Sequence, residues 1–366
     1  MDDTALAGRR GRVQAAAVAA GVDAVLVTPG PDLRYLTGYD ATPLERLTCL
    51  LLPAQGSPLL VVPELEQPAA VATVGTDLAI LPWSETDDPV DLCIRHLGGR
   101  VGRVAVDDRM WAEKVLRFRD ALPGSTILAA GGLLTDQRMR KDAAEVENLA
   151  LAGAAIDEVH SRMGEWLRPG RTEREVALAI ERAILASGHD RVDFVIVASG
   201  PNGASPHHAP SRRIITPGDT VVVDIGGTMP SGYCSDSTRT YAVGRPSAAA
   251  LEQYEVLMNA QQRAIEAVRP GVSAESVDAA ARDVIDAAGL GHLFVHRTGH
   301  GIGVETHEHP YIVTGNRQVL EAGMAFSVEP GIYDPGRHGA RIEDIVVVTD
   351  SGRRRLNNRP HELVVL

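Results

Sequence analysis

Five side chains in the second half of this sequence could share one job. Asp224, Asp236, His300, Glu329 and Glu343 supply four carboxylates and one imidazole. Such a hard, oxygen-rich donor set suits Mn²⁺, Co²⁺, Fe²⁺ or Zn²⁺. The thiolate zinc patterns do not fit, because no CxxC pair is present, and the HExxH helix motif is also missing. Four carboxylates around a single ion would over-neutralise it. Two divalent ions with bridging carboxylates and a hydroxide balance the charge better, which points to a two-metal hydrolase site.

Each acid taken alone has a plainer reading. Asp224 and Asp236 flank the stretch DIGGTMPSGYCSD. Pro230, Ser231 and Gly232 supply a turn there, with Val221–Asp224 before it and Thr238–Val243 after. That pattern predicts a β-hairpin, which can bring carboxylates from opposite arms together; the alternative is a hairpin with two solvated acids. Glu329 ends the apolar run from Phe326 at a Glu-Pro-Gly break. Glu343 lies in Arg341–Val348, read as one strand with Arg341, Glu343, Ile345 and Val347 on one face and Asp344 on the other. Acids in so apolar a strand are costly unless paired or coordinated. An Arg341–Glu343 pair is the alternative reading. Glycines on both sides of His300 allow backbone and ligand to approach closely.

The elements that must position these groups show an internal echo. RPGRTEREVALAIERAILASG runs from Arg168 to Gly188 and RPGVSAESVDAAARDVIDAAG from Arg269 to Gly289. Each has a Pro-Gly break, a Thr or Ser N-cap (Thr172, Ser273), an alanine-rich helix and a terminating glycine. Thr172 with Glu175 fits a capping box. Strand-like sequence follows each helix, at Val192–Ala198 and at Leu293–His296, and later an apolar strand ends in an acid, Asp224 or Glu329. A duplicated α+β domain of this kind would bring equivalent strands together with a site between the halves. Ala143–Leu167 reads as one long helix stopped by Pro169-Gly170. Upstream, a helix-prone Arg9–Ala20 and strands at Ala24–Val27, Leu47–Leu52, Leu59–Val62 and Val104–Val106 describe a smaller α/β unit. The expected domains are therefore 1–135 and 136–366.

The formal charge of −12 argues against a nucleic-acid footprint or an anionic membrane surface, both of which need positive charge. Three scattered cysteines, Cys49, Cys93 and Cys234, make no disulfide framework. No apolar leader follows the acidic N-terminus, and Leu47–Leu52 is broken too soon by Pro53 to span a bilayer. A soluble, reduced, cytoplasmic protein is expected.

The order DIGG…SDSTRT, TGHGIG…HE, SVEPG and RIED resembles the metallopeptidase family of aminopeptidase P, prolidase (Xaa-Pro dipeptidase) and methionine aminopeptidase. PDLRYLTGY, from Pro31 to Tyr39, resembles the extra domain that proline peptidases share with creatinase. The resemblance implies a pita-bread catalytic fold preceded by a creatinase-like domain. It implies that Asp224 chelates one metal, that His300 and Glu329 chelate the other, and that Asp236 and Glu343 bridge them. Asp224 and Asp236 are twelve apart where many relatives have eleven, which an extra residue in the Met229–Gly232 turn accommodates. The implied reaction is peptide hydrolysis by a metal-bridging hydroxide, with manganese first among the candidate metals. Glu329 would shuttle the proton, His307 stabilise the tetrahedral intermediate, and His207, with His208 as the competing assignment, contact the substrate. His296 would line a proline pocket, and Tyr333 and Arg341 would support the ligands and substrate. Some prolidases carry an arginine directly after HE-x-P, as a clamp on the carboxylate of a dipeptide; here that position is Tyr311. The implied substrate is a dipeptide or short peptide with proline second, and the implied assembly a homodimer. Aminopeptidase P action on longer peptides, or another hydrolase on a creatinase-like fold, is the alternative. Creatinase relatives lack the ligand set, and methionine aminopeptidase usually lacks the first domain.

Overall fold

The computed structural model describes residues 3–98 and 101–366. These form two compact units, one up to Arg138 and one from Met139 to Leu366.

In the first unit the strands are β1 (Ala24–Val27), β2 (Cys49–Pro53), β3 (Leu59–Pro63), β4 (Ala79–Trp83), β5 (Arg103–Val106) and β6 (Thr126–Ala129). They form a mixed sheet in the order β4-β3-β2-β1-β5-β6. Helices α1 (Asp3–Ala19), α2 (Pro31–Thr37), α3 (Gln67–Thr73), α4 (Pro89–His96), α5 (Ala112–Ala121) and α6 (Gly132–Met139) connect or follow them. Leu26, Leu51, Val61, Val104 and Phe118 belong to its core. The central strands β1 and β2 are apolar on both faces because both are covered, which is why they lack alternation.

The second unit is built twice. Its first half has α7 (Ala143–Ser161), α8 (Glu173–Ala186) and the strands β7 (Arg191–Ser199), β8 (Thr220–Thr228) and β9 (Cys234–Ala242). Its second half has α9 (Ala248–Ala267), α10 (Ala274–Ala287), β10 (Gly299–Gly301), β11 (Glu308–Ile312), β12 (Ala325–Val328), the hairpin β13 (Gly331–Asp334) and β14 (His338–Arg341), β15 (Asp344–Thr349) and β16 (Gly352–Arg355). A short β17 (Val364–Val365) returns to pair with β9. One sheet runs β17-β9-β8-β7 and the other β11-β10-β12-β15-β16. Each half has its own core, around Ile180, Val197 and Val223 in the first and Val277, Phe326 and Val346 in the second.

The sequence echo reappears as matched backbone bonds. Gly170 N donates to the Ile215 carbonyl and Gly271 N to that of Leu320. Glu173 N donates to Arg213 O and Ala274 N to Gln318 O; Arg174 N donates to Ser211 O and Glu275 N to Asn316 O. Each helix entry is thus stitched to the strand-entry segment of its own half. Thr172 and Glu175 make the expected capping box. Ser273 has cap backbone geometry but makes no side-chain cap bond; its carbonyl instead accepts from the Ser276 amide at 3.0 Å and the Ser276 hydroxyl at 2.6 Å.

Three expected elements differ. The helix from Ala143 ends at Ser161, and Met163–Glu165 tightens into a 3₁₀ turn containing Gly164, so it does not reach Leu167. Leu293–His296 is not a strand, since the Arg282 guanidinium takes the Phe294 and His296 carbonyls and Asp278 takes the Thr298 amide. Arg341–Val348 is two strands, broken at Ile342–Glu343, where Glu343 N donates to Thr238 O as the chain crosses β9.

Candidate metal centre

The β8–β9 hairpin pairs Asp224 with Thr238 and Gly226 with Asp236. The two acids are therefore diagonal neighbours two positions apart, and the pleat puts both on one face. β10 places His300 beside β12. A Cβ on Gly299 would run into the Ser327 carbonyl, and one on Gly301 into the His309 carbonyl, so glycine is required on both sides of His300. Glu329 follows β12 directly, its amide bonded to Thr298 O at 2.8 Å. The break between β14 and β15 turns Glu343 inward, while Asp344 points away to Arg239 (2.7 Å) and His361 (2.6 Å). The Arg341–Glu343 pair, the alternative reading of this strand, does not form; Arg341 binds Asp224 instead.

All five residues line one cavity of about 660 Å³, together with His207, His296, His307, Arg297 and Arg341. Possible ligand atoms of Asp236, His300 and Glu343 lie within 4.8 Å of one another. Burial, then the neighbouring carboxylates, drives the carboxyl groups of Asp236 and Glu343 well above the usual range. Asp224 Oδ1 and Glu343 Oε1 are buried without a hydrogen-bond partner. Buried carboxylate oxygens left in this way are what a cation would satisfy, so the residues present fit a divalent-metal centre.

The remaining donors are held in defined states. His300 Nδ1 lies 3.1 Å from Gly301 O, which can only accept, so Nδ1 carries a proton. Burial lowers the His300 pKa, but the Glu329 hydrogen bond and charge outweigh it and raise it, so that a protonated Nε2 faces Glu329 (3.1 Å) and Asp236 (3.6 Å). Burial alone would raise the Glu329 carboxyl, but the His300 hydrogen bond and charge bring it down to about 2. Ser327 Oγ donates to Glu329 at 2.9 Å and accepts from His300 N at 3.0 Å. Thr238 Oγ1 donates to Glu343 at 2.8 Å. His307 lies against His300 with ring centroids 4.0 Å apart and planes tilted by 37°, and burial with the charge of His300 pushes it down to about 4.

A relay runs along one wall. Arg341 Nη1 donates to Tyr333 Oη at 2.7 Å, and Tyr333 Oη donates to His296 Nε2 at 2.8 Å. His296 Nδ1 then donates to Arg297 O at 2.7 Å. Both nitrogens of His296 are spent inside the protein. Tyr333 lies behind the cavity wall, and burial pushes its hydroxyl up to about 12 despite Arg341.

Of the two adjacent histidines, His207 lines the cavity, whereas His208 Nε2 donates to Glu173 at 2.8 Å. Sequence reasoning missed Glu173, Thr238, Ser327 and Arg297. Glu173 stands in the first turn of a helix, where an acid is ordinary, so nothing marked it. Thr238 and Ser327 stand inside the quoted SDSTRT and SVEPG motifs, the one available signal.

Two duplicated half-domains facing carboxylates and imidazoles into one cavity define a metal-dependent hydrolase. The chain belongs to metallopeptidase family M24, whose model matches residues 147–350, with a creatinase/prolidase N-terminal domain at residues 9–140. It has that family's pita-bread fold. It is 53% identical to the probable dipeptidase PepE of Mycobacterium tuberculosis, over all of this chain and 98% of that one. It is 37% identical to the Xaa-Pro dipeptidase of Lactobacillus helveticus, over 91% of this chain and 92% of that one. The crystal structure of dipeptidase PepE from Mycobacterium ulcerans superposes with a TM-score of 0.95 at 54% identity, covering 100% of this chain and 99% of that one. Among the described residues no helix is long and apolar enough to cross a membrane.

Proposed function

We propose that the chain is a dinuclear-metal peptidase hydrolysing the Xaa-Pro bond of dipeptides or short peptides. The observation that carries this is the convergence of four acids and four cavity-lining histidines, with two buried carboxylate oxygens lacking any partner among the described residues. The Xaa-Pro dipeptidase among the relatives supports the choice of bond.

Asp224 would hold one ion and His300 with Glu329 the other, with Asp236 and Glu343 between them. Two divalent cations, manganese first among them, would lower the pKa of a water and polarise the scissile carbonyl. Glu329 is ionised at rest and accepts the proton of the attacking water, then returns it to the leaving nitrogen. His307, neutral at working pH, and His207 face the space where the tetrahedral oxygen and the substrate backbone would lie, and donate hydrogen bonds there. His296 has no free nitrogen and offers its ring to the proline. Arg341 and Tyr333 hold Asp224 and His296 in place. The cavity volume suits a ligand of dipeptide size. We place the enzyme in the cytoplasm as a homodimer.

The test compares Ala-Pro with Ala-Pro-Ala, and Gly-Pro with Gly-Ala, across added Mn²⁺, Co²⁺ and Zn²⁺, with elemental analysis of the purified protein. Chelator-insensitive activity in metal-free protein would defeat the metal assignment. Equal rates on Gly-Pro and Gly-Ala would defeat the proline assignment. A clear preference for Ala-Pro-Ala would favour an aminopeptidase.

A further inference from the structure

Strand β9 does different work on its two faces. Asp236 and Thr238 share one face; Asp236 lines the cavity and Thr238 Oγ1 reaches Glu343. Arg239 points to the reverse side and is 3% exposed. All five of its N–H groups are used. Nε donates to Pro360 O at 3.0 Å, and Nη1 to Thr238 O at 2.8 Å and Glu343 O at 2.6 Å. Nη2 donates to Asp344 Oδ1 at 2.7 Å and to Arg359 O at 2.9 Å.

One guanidinium therefore grips two consecutive residues, Glu343 by its carbonyl and Asp344 by its carboxylate. Neutralising Asp344 would need Nη2 alone. The bond to the Glu343 carbonyl is additional, and it meets a need of the main chain there. Ile342 and Glu343 fall between two ladders, one ending at Arg341 and the other starting at Asp344. A buried amide and carbonyl outside a ladder must find other partners. Glu343 N finds Thr238 O at 3.1 Å, and Glu343 O finds Arg239. Because the guanidinium is flat and rigid, the ion pair through Nη2 fixes where Nη1 points, and so where the Glu343 carbonyl sits. With its main chain held on both sides, Glu343 keeps only its side-chain torsions, and Thr238 Oγ1 takes one carboxylate oxygen. The other, Oε1, is the buried oxygen without a partner among the described residues.

We propose that Arg239, acting from the reverse side of β9, is the positioning residue that aims Glu343 at the metal centre, so that divalent-ion affinity depends on a side chain outside the cavity. This rests on the dinuclear-metal reading above. No bond is made or broken in this role and no proton moves. An arginine that served the fold alone would lower stability and leave the metal affinity of the folded protein where it was.

The experiment titrates Mn²⁺ calorimetrically into chelator-treated wild type, Arg239→Met, Arg239→Lys and Tyr254→Phe, each well below its melting temperature. Loss of a group that orients a ligand weakens metal binding by about ten- to a hundred-fold, and that fall is expected for Arg239→Met. Arg239→Lys keeps a charge for Asp344 but has fewer donors and no fork, so it should lie between. Tyr254 Oη ties the same reverse-side segment by donating to His361 O at 2.7 Å. Tyr254→Phe should lower the melting temperature yet bind Mn²⁺ within about two-fold of wild type, because it frees no group that orients a ligand. In Co²⁺-loaded protein the visible absorption bands report the ligand set; they should shift in Arg239→Met and stay in place in Tyr254→Phe. At saturating Mn²⁺, Arg239→Met should show a lower kcat on Ala-Pro with KM within about two-fold of wild type. Wild-type affinity and spectrum in Arg239→Met, or an equal fall in Tyr254→Phe, would overturn the assignment. If Arg239→Met does not fold, Arg239→Lys decides, and an affinity equal to wild type overturns it. If the wild type binds Mn²⁺ but cleaves no Xaa-Pro substrate, the substrate reading fails while the metal titration still decides the role of Arg239. If the wild type binds no divalent ion, the metal reading falls and this assignment with it.

Discussion

Arg341 Nη2 donates to Asp224 Oδ2 at 2.5 Å, an ion pair between β14 and β8 that aims the other oxygen of the carboxylate into the cavity. Both side chains are largely out of water. The pair therefore does more for geometry than for stability, since desolvating two charges offsets most of their attraction. Removing one partner is different, because it strands the other. Arg341→Met should destabilise the protein by about 3–5 kcal/mol. It should also weaken Mn²⁺ binding by about ten- to a hundred-fold, as loss of a group that orients a ligand does. Denaturant unfolding and metal titration calorimetry measure the two. Unchanged metal affinity would mean that Asp224 needs no such guide.

The crowding of carboxylates predicts how the metal-free protein behaves. Asp236 is buried beside Glu343, Asp224 and Glu329, whose charges oppose its own. Asp236→Asn relieves that repulsion at constant shape. The variant should melt above wild type in excess chelator and below it in excess Mn²⁺, because it keeps the relief but loses a ligand. Differential scanning calorimetry with and without metal checks this crossover. A variant that melts lower in both conditions would show that repulsion is not what the metal relieves.

How much of this could be read beforehand depends on whether the signal was local. The hairpin carrying Asp224 and Asp236 was legible because its turn and both apolar arms are contiguous in sequence. The helix pairs after each Pro-Gly were legible because caps and breakers act within a few residues. The break at Ile342–Glu343 was not, because it arises where the chain crosses β9 and Glu343 N finds Thr238 O, a partner more than a hundred residues away. Leu293–His296 has strand-like composition, yet Arg282 and Asp278 take its hydrogen bonds from a separate helix. The ligand candidates stood in recognisable motifs. Ser327, which holds Glu329, stood inside one of those motifs, whereas Glu173, which ties down the His207 loop, carries no mark of its role in its own neighbourhood.

His160 gives a pH dependence from outside the set of candidate ligands. Its Nε2 lies 3.1 Å from Ser237 O and therefore carries the proton, while Nδ1 accepts from Tyr241 Oη at 2.9 Å. Burial, reinforced by the charge of Arg239, lowers it to about 3. An unfolded histidine titrates near 6.5. Between those values the unfolded chain binds a proton that the native chain refuses, so its contribution is intact above pH 6.5 and is lost on acidification. At pH 5 the loss from this one group is about 2 kcal/mol. His160→Gln, which keeps a donor for Ser237, should flatten the fall in stability between pH 6.5 and pH 5. Urea midpoints across that range measure it, and parallel slopes for the two proteins would assign the acid sensitivity to other histidines.

Glu173 organises the loop that presents His207. This fully buried carboxylate accepts from the amide and hydroxyl of Ser199 (both 2.7 Å), from Asn202 Nδ2 (3.0 Å) and from His208 Nε2 (2.8 Å). It also accepts from the amide and hydroxyl of Ser211, at 3.0 and 2.6 Å. Burial would raise its carboxyl, but these donors together bring it to about 2. Its stabilisation is therefore present above the unfolded value near 4.5 and lost as the pH falls toward 2. Glu173→Gln presents an amide to groups that are themselves donors, so part of the cluster loses its acceptor. A loss of about 2–4 kcal/mol in stability is expected, since hydrogen bonds to a buried charge are individually strong. Because both ends of the loop from Ser199 to Ser211 are tied to this one side chain, His207 should lose its position. The variant should show a lower kcat with metal content unchanged, while His208→Ala, which removes a single donor, should show a smaller version of the same effect. His207→Ala should lower kcat with little change in melting temperature. If Glu173→Gln lowers stability but leaves kcat on Ala-Pro intact, the cluster serves the fold alone and His207 is held by other contacts.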